Sequence, residues 1–218
     1  NYYWRERMRV HVPITTTPSV RFHCGDSEVN MAAGECWIFD TWRRHCVLNH
    51  GDDTRIHLVA DTVGGERFWD LVSQGRTPER REPGWQPTRL DSRAGNDVPV
   101  LDFESFNVPV VMSPWELREH IVFLLNDAEN APQLAAIQVT LQRFSHCWHA
   151  LWSCHGTDPG GFPRYRALLE RTQQALVGQG VAQIALRNGG RLMQALNAHI
   201  FTVALNGPKA MPAATLNP

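Results

Sequence analysis

The sequence predicts an α+β fold, a strand-rich segment followed by a helical one. Apolar and polar residues alternate with a period of two through residues 1 to about 65. A stretch rich in arginine, proline and glycine occupies 74–99. Ser113-Pro114-Trp115-Glu116 is then a capping box with proline at the first helical position, and it opens helical patterning. The expected organisation is a β domain over 1–75, a linker or long loop over 76–99, and a helical domain over 100–218.

The strands come first. Val10, Val12 and Ile14 alternate with Arg9, His11 and Pro13, as in a half-buried strand. Val20 and Phe22 alternate with Arg21 and His23 in the same way. A Gly34-Glu35 turn leads into the apolar run Cys36-Trp37-Ile38-Phe39, and Ile56, Leu58 and Ala60 alternate with Arg55, His57 and Val59. Strands at this spacing, separated by turn signals, suggest a sandwich or a barrel. In the helical part, Leu117, Ile121, Leu124 and Leu125 share one face of a helix running to about Asn126. A second helix is expected over Gln133 to Ser153 and a third from about Pro163 to Val177, after the Gly160-Gly161 break. One or two more are expected between Val181 and Leu205, interrupted by Gly189-Gly190.

Composition narrows the function classes. The 218 residues are 43% hydrophobic and 20% charged, as in a soluble globular protein. A formal net charge of -1 gives no general pull toward nucleic acid or anionic membrane. Basic charge is almost all arginine, Lys209 being the only lysine. Arginine suits carboxylate recognition, although a GC-rich genome is the plainer cause. Five cysteines without CxxC spacing argue against a disulfide framework or a zinc ribbon. No apolar run approaches the roughly 20 residues of a membrane helix, and a reducing cytoplasm is the expected location. The chain begins at Asn1 without methionine and its first motif follows almost at once, so a processed protein or a fragment lacking the start of the barrel is expected.

Two histidines, His11 and His45, sit on or beside different strands. Converging inside a small barrel, they could bind one transition metal through imidazole nitrogen. The pair is weak evidence by itself in a chain with ten histidines. Arg55 strengthens it. An arginine inside a barrel is costly unless an anion meets it, and a dicarboxylate would do so through a two-pronged contact. The alternatives are a salt bridge to Asp40, Asp61 or Glu35, or a solvent-facing side chain.

Arg9-Val10-His11-Val12-Pro13, Val20-Arg21-Phe22-His23, Gly34 through Asp40, His45, and Arg55 through Asp61 together resemble the ordered motifs of the aspartyl/asparaginyl β-hydroxylases. The resemblance covers about residues 5 to 63 and does not extend into the helical region. It implies a double-stranded β-helix (jelly-roll, cupin-like) that binds Fe(II) and 2-oxoglutarate as co-substrate. His11 and His45 match the two iron ligands, and Arg55 matches the residue gripping the distal carboxylate of 2-oxoglutarate. Arg21 and His23 match positions near the co-substrate's other end. For these two the alternatives are a pairing of Arg21 with an acid on a neighbouring strand and a buried, hydrogen-bonded His23.

Most iron oxygenases of this type add a carboxylate ligand two residues after the first histidine. Here that residue is Pro13, and the resembled family also lacks the carboxylate. Water or a small anion is therefore expected at the third position, with Asp26 and Asp40 as rival ligands and Asp40 favoured for a supporting role. Cys46 reads as a packed small residue, and His57 as either a pocket or a core histidine. His146, Cys147, His149, Trp152, Cys154 and His155 read as an aromatic helix face, and Arg76, Arg80 and Arg81 as a solvated loop.

The function expected is a 2-oxoglutarate-dependent dioxygenase hydroxylating an aspartyl or asparaginyl residue, a free amino acid or a small amide. Its partners would be a small molecule or a peptide, without nucleic acid or membrane. The alternatives are a non-oxidative cupin-like metal protein, which would not need Arg55 in the pocket, and a degenerate binding module.

Overall fold

The computed structural model describes residues 7–77, Gly84, Gln86 and 109–206. Most of the predicted linker, including Arg80 and Arg81, lies outside them, as do residues 1–6 and Lys209. The chain divides into two compact units that part between Ser105 and Phe106.

In the first unit six strands form two antiparallel sheets. Strands β1 (Met8–Thr15), β4 (Trp37–Phe39) and β6 (Ile56–Thr62) are arranged β4-β1-β6, and β2 (Arg21–Cys24), β3 (Ser27–Val29) and β5 (His45–Leu48) are arranged β3-β2-β5. The mixed strand-then-helix class read from the sequence is present. A closed jelly-roll is not: a jelly-roll takes eight strands, and the two three-stranded sheets do not join into a barrel among the described residues. Pro13 sits in the middle strand of its sheet, where a missing N–H would ordinarily break a ladder. It is tolerated because β4 pairs only with Arg9 through His11, and the register with β6 shifts between Pro13 and Thr15.

Three elements of this unit were not expected from the sequence. Strand β5 lies between β4 and β6 in the chain, where a loop was expected. Strand β3 folds back on β2 around Gly25, whose φ of 58° is the left-handed turn conformation that favours glycine. Helix α1 (Glu66–Ser73) follows β6. Its apolar residues do fall on one face, but it is only eight residues long, has no side-chain cap and buries no residue, so no start signal marks it in the sequence.

The second unit is helical, with α2 (Pro114–Asp127), α3 (Leu134–His155), α4 (Phe162–Gly178) and α5 (Leu192–Leu196), the last running into a π-helical turn, Asn197–Phe201. Ser113 is the N-cap as expected: its Oγ accepts from Glu116 N at 3.2 Å, satisfying one of the free amides of the first turn. Helix α2 buries Leu117, His120, Ile121 and Leu124, while α3 buries Ile137, Leu141, Phe144 and Trp148. Trp148 anchors this core, its Nε1 donating to the Met112 carbonyl at 2.9 Å and its ring 4.7 Å from that of Tyr165.

Candidate functional site

Strand pairing assembles the site. Residues directly opposite in an antiparallel pair share a face, and successive residues alternate between faces. Arg9, His11 and Pro13 therefore share one face of the first sheet. They share it with Trp37 and Phe39 of β4, and with His57, Val59 and Asp61 of β6. In the second sheet, His45 opposes Cys24 and Val47 opposes Phe22, which places His45 on the Phe22 face. Phe39 joins the two sheets, its ring 4.6 Å from Phe22, 5.0 Å from His11 and 5.1 Å from His45. The two histidines expected to bind metal thus flank one aromatic ring, on facing sheets.

His11 is held ready to be a ligand. Burial, then the positive charges of Arg55 and Arg9, push its pKa below the ordinary histidine value, so it is neutral at pH 7. Both ring nitrogens are buried and without a hydrogen-bond partner among the described residues. Such groups are costly in a folded protein, and a bound group would explain them. His45 is exposed, and its Nδ1 lies 2.8 Å from the Arg43 carbonyl. A carbonyl only accepts, so Nδ1 carries a proton, which leaves Nε2 as the ring nitrogen that could bind a metal, the arrangement common in metal-binding histidines.

Arg55 lies one residue before β6, and burial lowers its pKa. None of the three acids weighed against an anion-binding role takes it. Asp61 is held in a fork by Arg9, with Nε and Nη2 at 2.8 and 2.9 Å. Glu35 accepts from the Trp37 indole at 2.7 Å and from Ala32 N at 2.8 Å. Asp40 accepts from Trp42 N at 2.9 Å, with Arg43 3.6 Å away. Instead Arg55 Nη2 donates to His57 Nδ1 at 2.8 Å, and its Nε is buried with no partner among the described residues. This is an arginine that could receive a carboxylate.

His57 belongs to the same cluster. Its ring meets that of His11 edge-on at 5.8 Å. Burial, then the charges of Arg55 and His11, push its pKa down to about 4. The sequence pointed to it only through its even spacing from Arg55; its strand opposition to Pro13 required the register.

Arg21 and His23 lie elsewhere. Alternation along β2 puts them on the face opposite Phe22, and so opposite His45. Arg21 Nε is 3.2 Å from Glu28 Oε1, and its Nη1 donates to the Pro18 and Val20 carbonyls. His23 Nδ1 is 3.7 Å from Glu28 Oε2. The pairing of Arg21 with an acid on a neighbouring strand is the arrangement present, and neither residue joins the His11 cluster. Asp26 is exposed in the turn after β2, Cys46 is exposed opposite His23, and His146 and His149 are exposed on α3. Among the described residues no group of three or more histidine, cysteine, aspartate or glutamate side chains is arranged to hold a metal ion. The candidate set is two histidines, and their unshared lone pairs fit an ion of nitrogen-ligand preference such as Fe(II).

The model of the family described as Aspartyl/Asparaginyl beta-hydroxylase matches residues 3–64, under a third of the chain. That span contains every residue of this cluster. No curated protein and no solved structure matches the chain.

Proposed function

We propose that this chain, whose residues 3–64 match the aspartyl/asparaginyl β-hydroxylase family model, is an iron(II)- and 2-oxoglutarate-dependent hydroxylase. Its target would be an aspartyl or asparaginyl residue, a free amino acid or a small amide. The family match supports hydroxylase chemistry in general. The single observation carrying the finer reading is the juxtaposition of two half-buried side chains: His11, whose ring nitrogens are buried without a partner, and Arg55, which no acid neutralises, both among the described residues. The two three-stranded sheets are then part of a double-stranded β-helix.

His11 and His45 would hold the iron through neutral imidazoles, and Arg55 would take the distal carboxylate of 2-oxoglutarate. When bound, the iron supplies dioxygen activation coupled to oxidation of 2-oxoglutarate to succinate and carbon dioxide. The chain's own work is binding and orientation. Phe39, packed on Phe22, would give the site an apolar wall beside both histidines. The Arg9–Asp61 fork ties β1 to β6 two residues before His11, on the same face, fixing the strand that carries it. Pro13 offers no side-chain ligand, and its carbonyl already accepts from Gly34 N at 2.9 Å. The third protein position is therefore left to solvent or a small anion.

The test is succinate release from 2-oxoglutarate with Fe(II) under air. Succinate formation that is lost in His11→Ala, His45→Ala and Arg55→Leu supports the proposal. Metal binding without any 2-oxoglutarate turnover or affinity would favour a non-oxidative metal protein and overturn it.

A further inference from the structure

We propose that His57 is a second residue of the co-substrate site: its Nδ1 holds the Arg55 guanidinium, and its Nε2–H donates a hydrogen bond to a carboxylate oxygen of 2-oxoglutarate. This rests on the reading of Arg55 as the 2-oxoglutarate arginine, and goes beyond it by adding a donor of fixed tautomer.

The tautomer follows from one contact. Arginine is charged under all ordinary conditions and has five N–H donors and no acceptor. The Arg55 Nη2 to His57 Nδ1 contact of 2.8 Å is therefore an N–H donated to a lone pair. A histidine whose Nδ1 holds a lone pair is neutral and carries its one proton on Nε2. That Nε2–H is buried and has no acceptor among the described residues. A buried donor without an acceptor costs free energy, and a ligand oxygen relieves it.

The position fits a ligand as well. His57 opposes Pro13 across the β1–β6 pair, on the face that carries His11, and its ring lies edge-on to His11 at 5.8 Å. The donor thus stands beside the candidate iron ligand, next to the residue that supplies no side-chain ligand of its own. The same tautomer keeps His57 from being a third metal ligand. Coordination at Nε2 would need the lone pair there, and the proton would then sit on Nδ1 against an arginine donor. Arg55 Nε, buried and likewise without a partner among the described residues, makes a second donor waiting for an acceptor. Two such donors, one charged and one neutral, suit a carboxylate better than a neutral ligand.

Calorimetric titration of 2-oxoglutarate into the full chain supplied with Zn(II), which is redox-inert, tests this without turnover. Wild type is compared with Arg55→Leu and His57→Leu, with far-UV circular dichroism as the check on folding. His57→Leu is expected to weaken 2-oxoglutarate by about tenfold or more, the loss of one hydrogen bond to a charged group. Nitrogen-15 spectra of histidine-labelled wild type should show His57 as the Nε2–H tautomer, with that proton shifted on adding 2-oxoglutarate. A smaller loss in a folded His57→Leu, with Arg55→Leu still impaired, overturns this inference and leaves the parent reading standing. An Nδ1–H tautomer, or an Nε2–H signal indifferent to 2-oxoglutarate, overturns it even if the leucine variant fails to fold. Absence of 2-oxoglutarate binding by wild type overturns the parent reading, and this inference with it.

Discussion

An imidazole with both nitrogens buried and unmatched, as those of His11 are among the described residues, is a liability for folding and an asset for binding. His11→Ala should weaken Fe(II) by about a hundredfold or more, because one of two protein ligands is lost. The same change should leave the melting temperature equal or higher, because an unsatisfied buried polar group is removed. Metal titration and a thermal melt on one preparation check the pair, and a large drop in melting temperature would show that His11 is structural. Arg55→Lys should raise the KM for 2-oxoglutarate by about tenfold or more, since lysine reproduces neither the fork nor the reach. Steady-state kinetics at varied 2-oxoglutarate measure it. His11, His45 and Arg55 could be singled out because each sits in an ordered local motif, and the strand pairing sets His11 and His45 around Phe39. The surroundings of Arg21 and His23 could not be read so, because they depend on Glu28, which a left-handed turn at Gly25 brings alongside them. That hairpin leaves no mark in a period-two pattern.

Elements with strong local signals were the readable ones. Helix α2 was legible from four residues, and Ser113 caps it as expected, accepting from Glu116 N. Ser113→Ala should cost about 1 kcal/mol, the usual worth of an N-cap, seen as a lower chemical-denaturation midpoint for the helical signal. Helix α1 was missed because Gly65 offers no side-chain cap and the helix buries nothing. The π-helical turn Asn197–Phe201 was missed too; it carries His199, whose ring stacks on that of the buried His120 at 6.2 Å. Burial, then His120, pushes the pKa of His199 down to about 4. The unfolded chain therefore takes up this proton first, near the ordinary value of about 6.5. The resulting stability is complete above that value, falls as pH drops toward about 4, and changes no further below it. Helical melting temperature should follow that course, and His199→Gln should flatten it.

Across the whole chain, the two units differ in how much apolar side chain they bury. In the strand unit the buried hydrophobic residues among those described are Val20, Phe22 and Met31, whereas the helical unit buries a core running from Val111 to Ala204. Amide exchange should accordingly be fast in β1 to β6 and slow in α2 to α4. Fe(II) or a surrogate ion with 2-oxoglutarate should slow exchange in the strands alone, by about 2.7 kcal/mol at a hundredfold excess over Kd. Uniform protection across both units would contradict this. Residue patterning announced the two classes of structure, but whether the strands close on one another depends on long-range pairing that alternation does not encode. Within the first sheet, the face turned away from His11 carries Val10, Val12, Ile38, Leu58 and Ala60, continued by Ile14 and Ile56. Ile14, Ile56 and Leu58 are each more than half exposed. Native protein should therefore light up solvatochromic dyes such as anilinonaphthalene sulfonate at room temperature. A dye-based thermal scan would start from a bright baseline and conceal the transition that ligand binding shifts, so stabilisation by metal and 2-oxoglutarate should be followed by ellipticity or calorimetry.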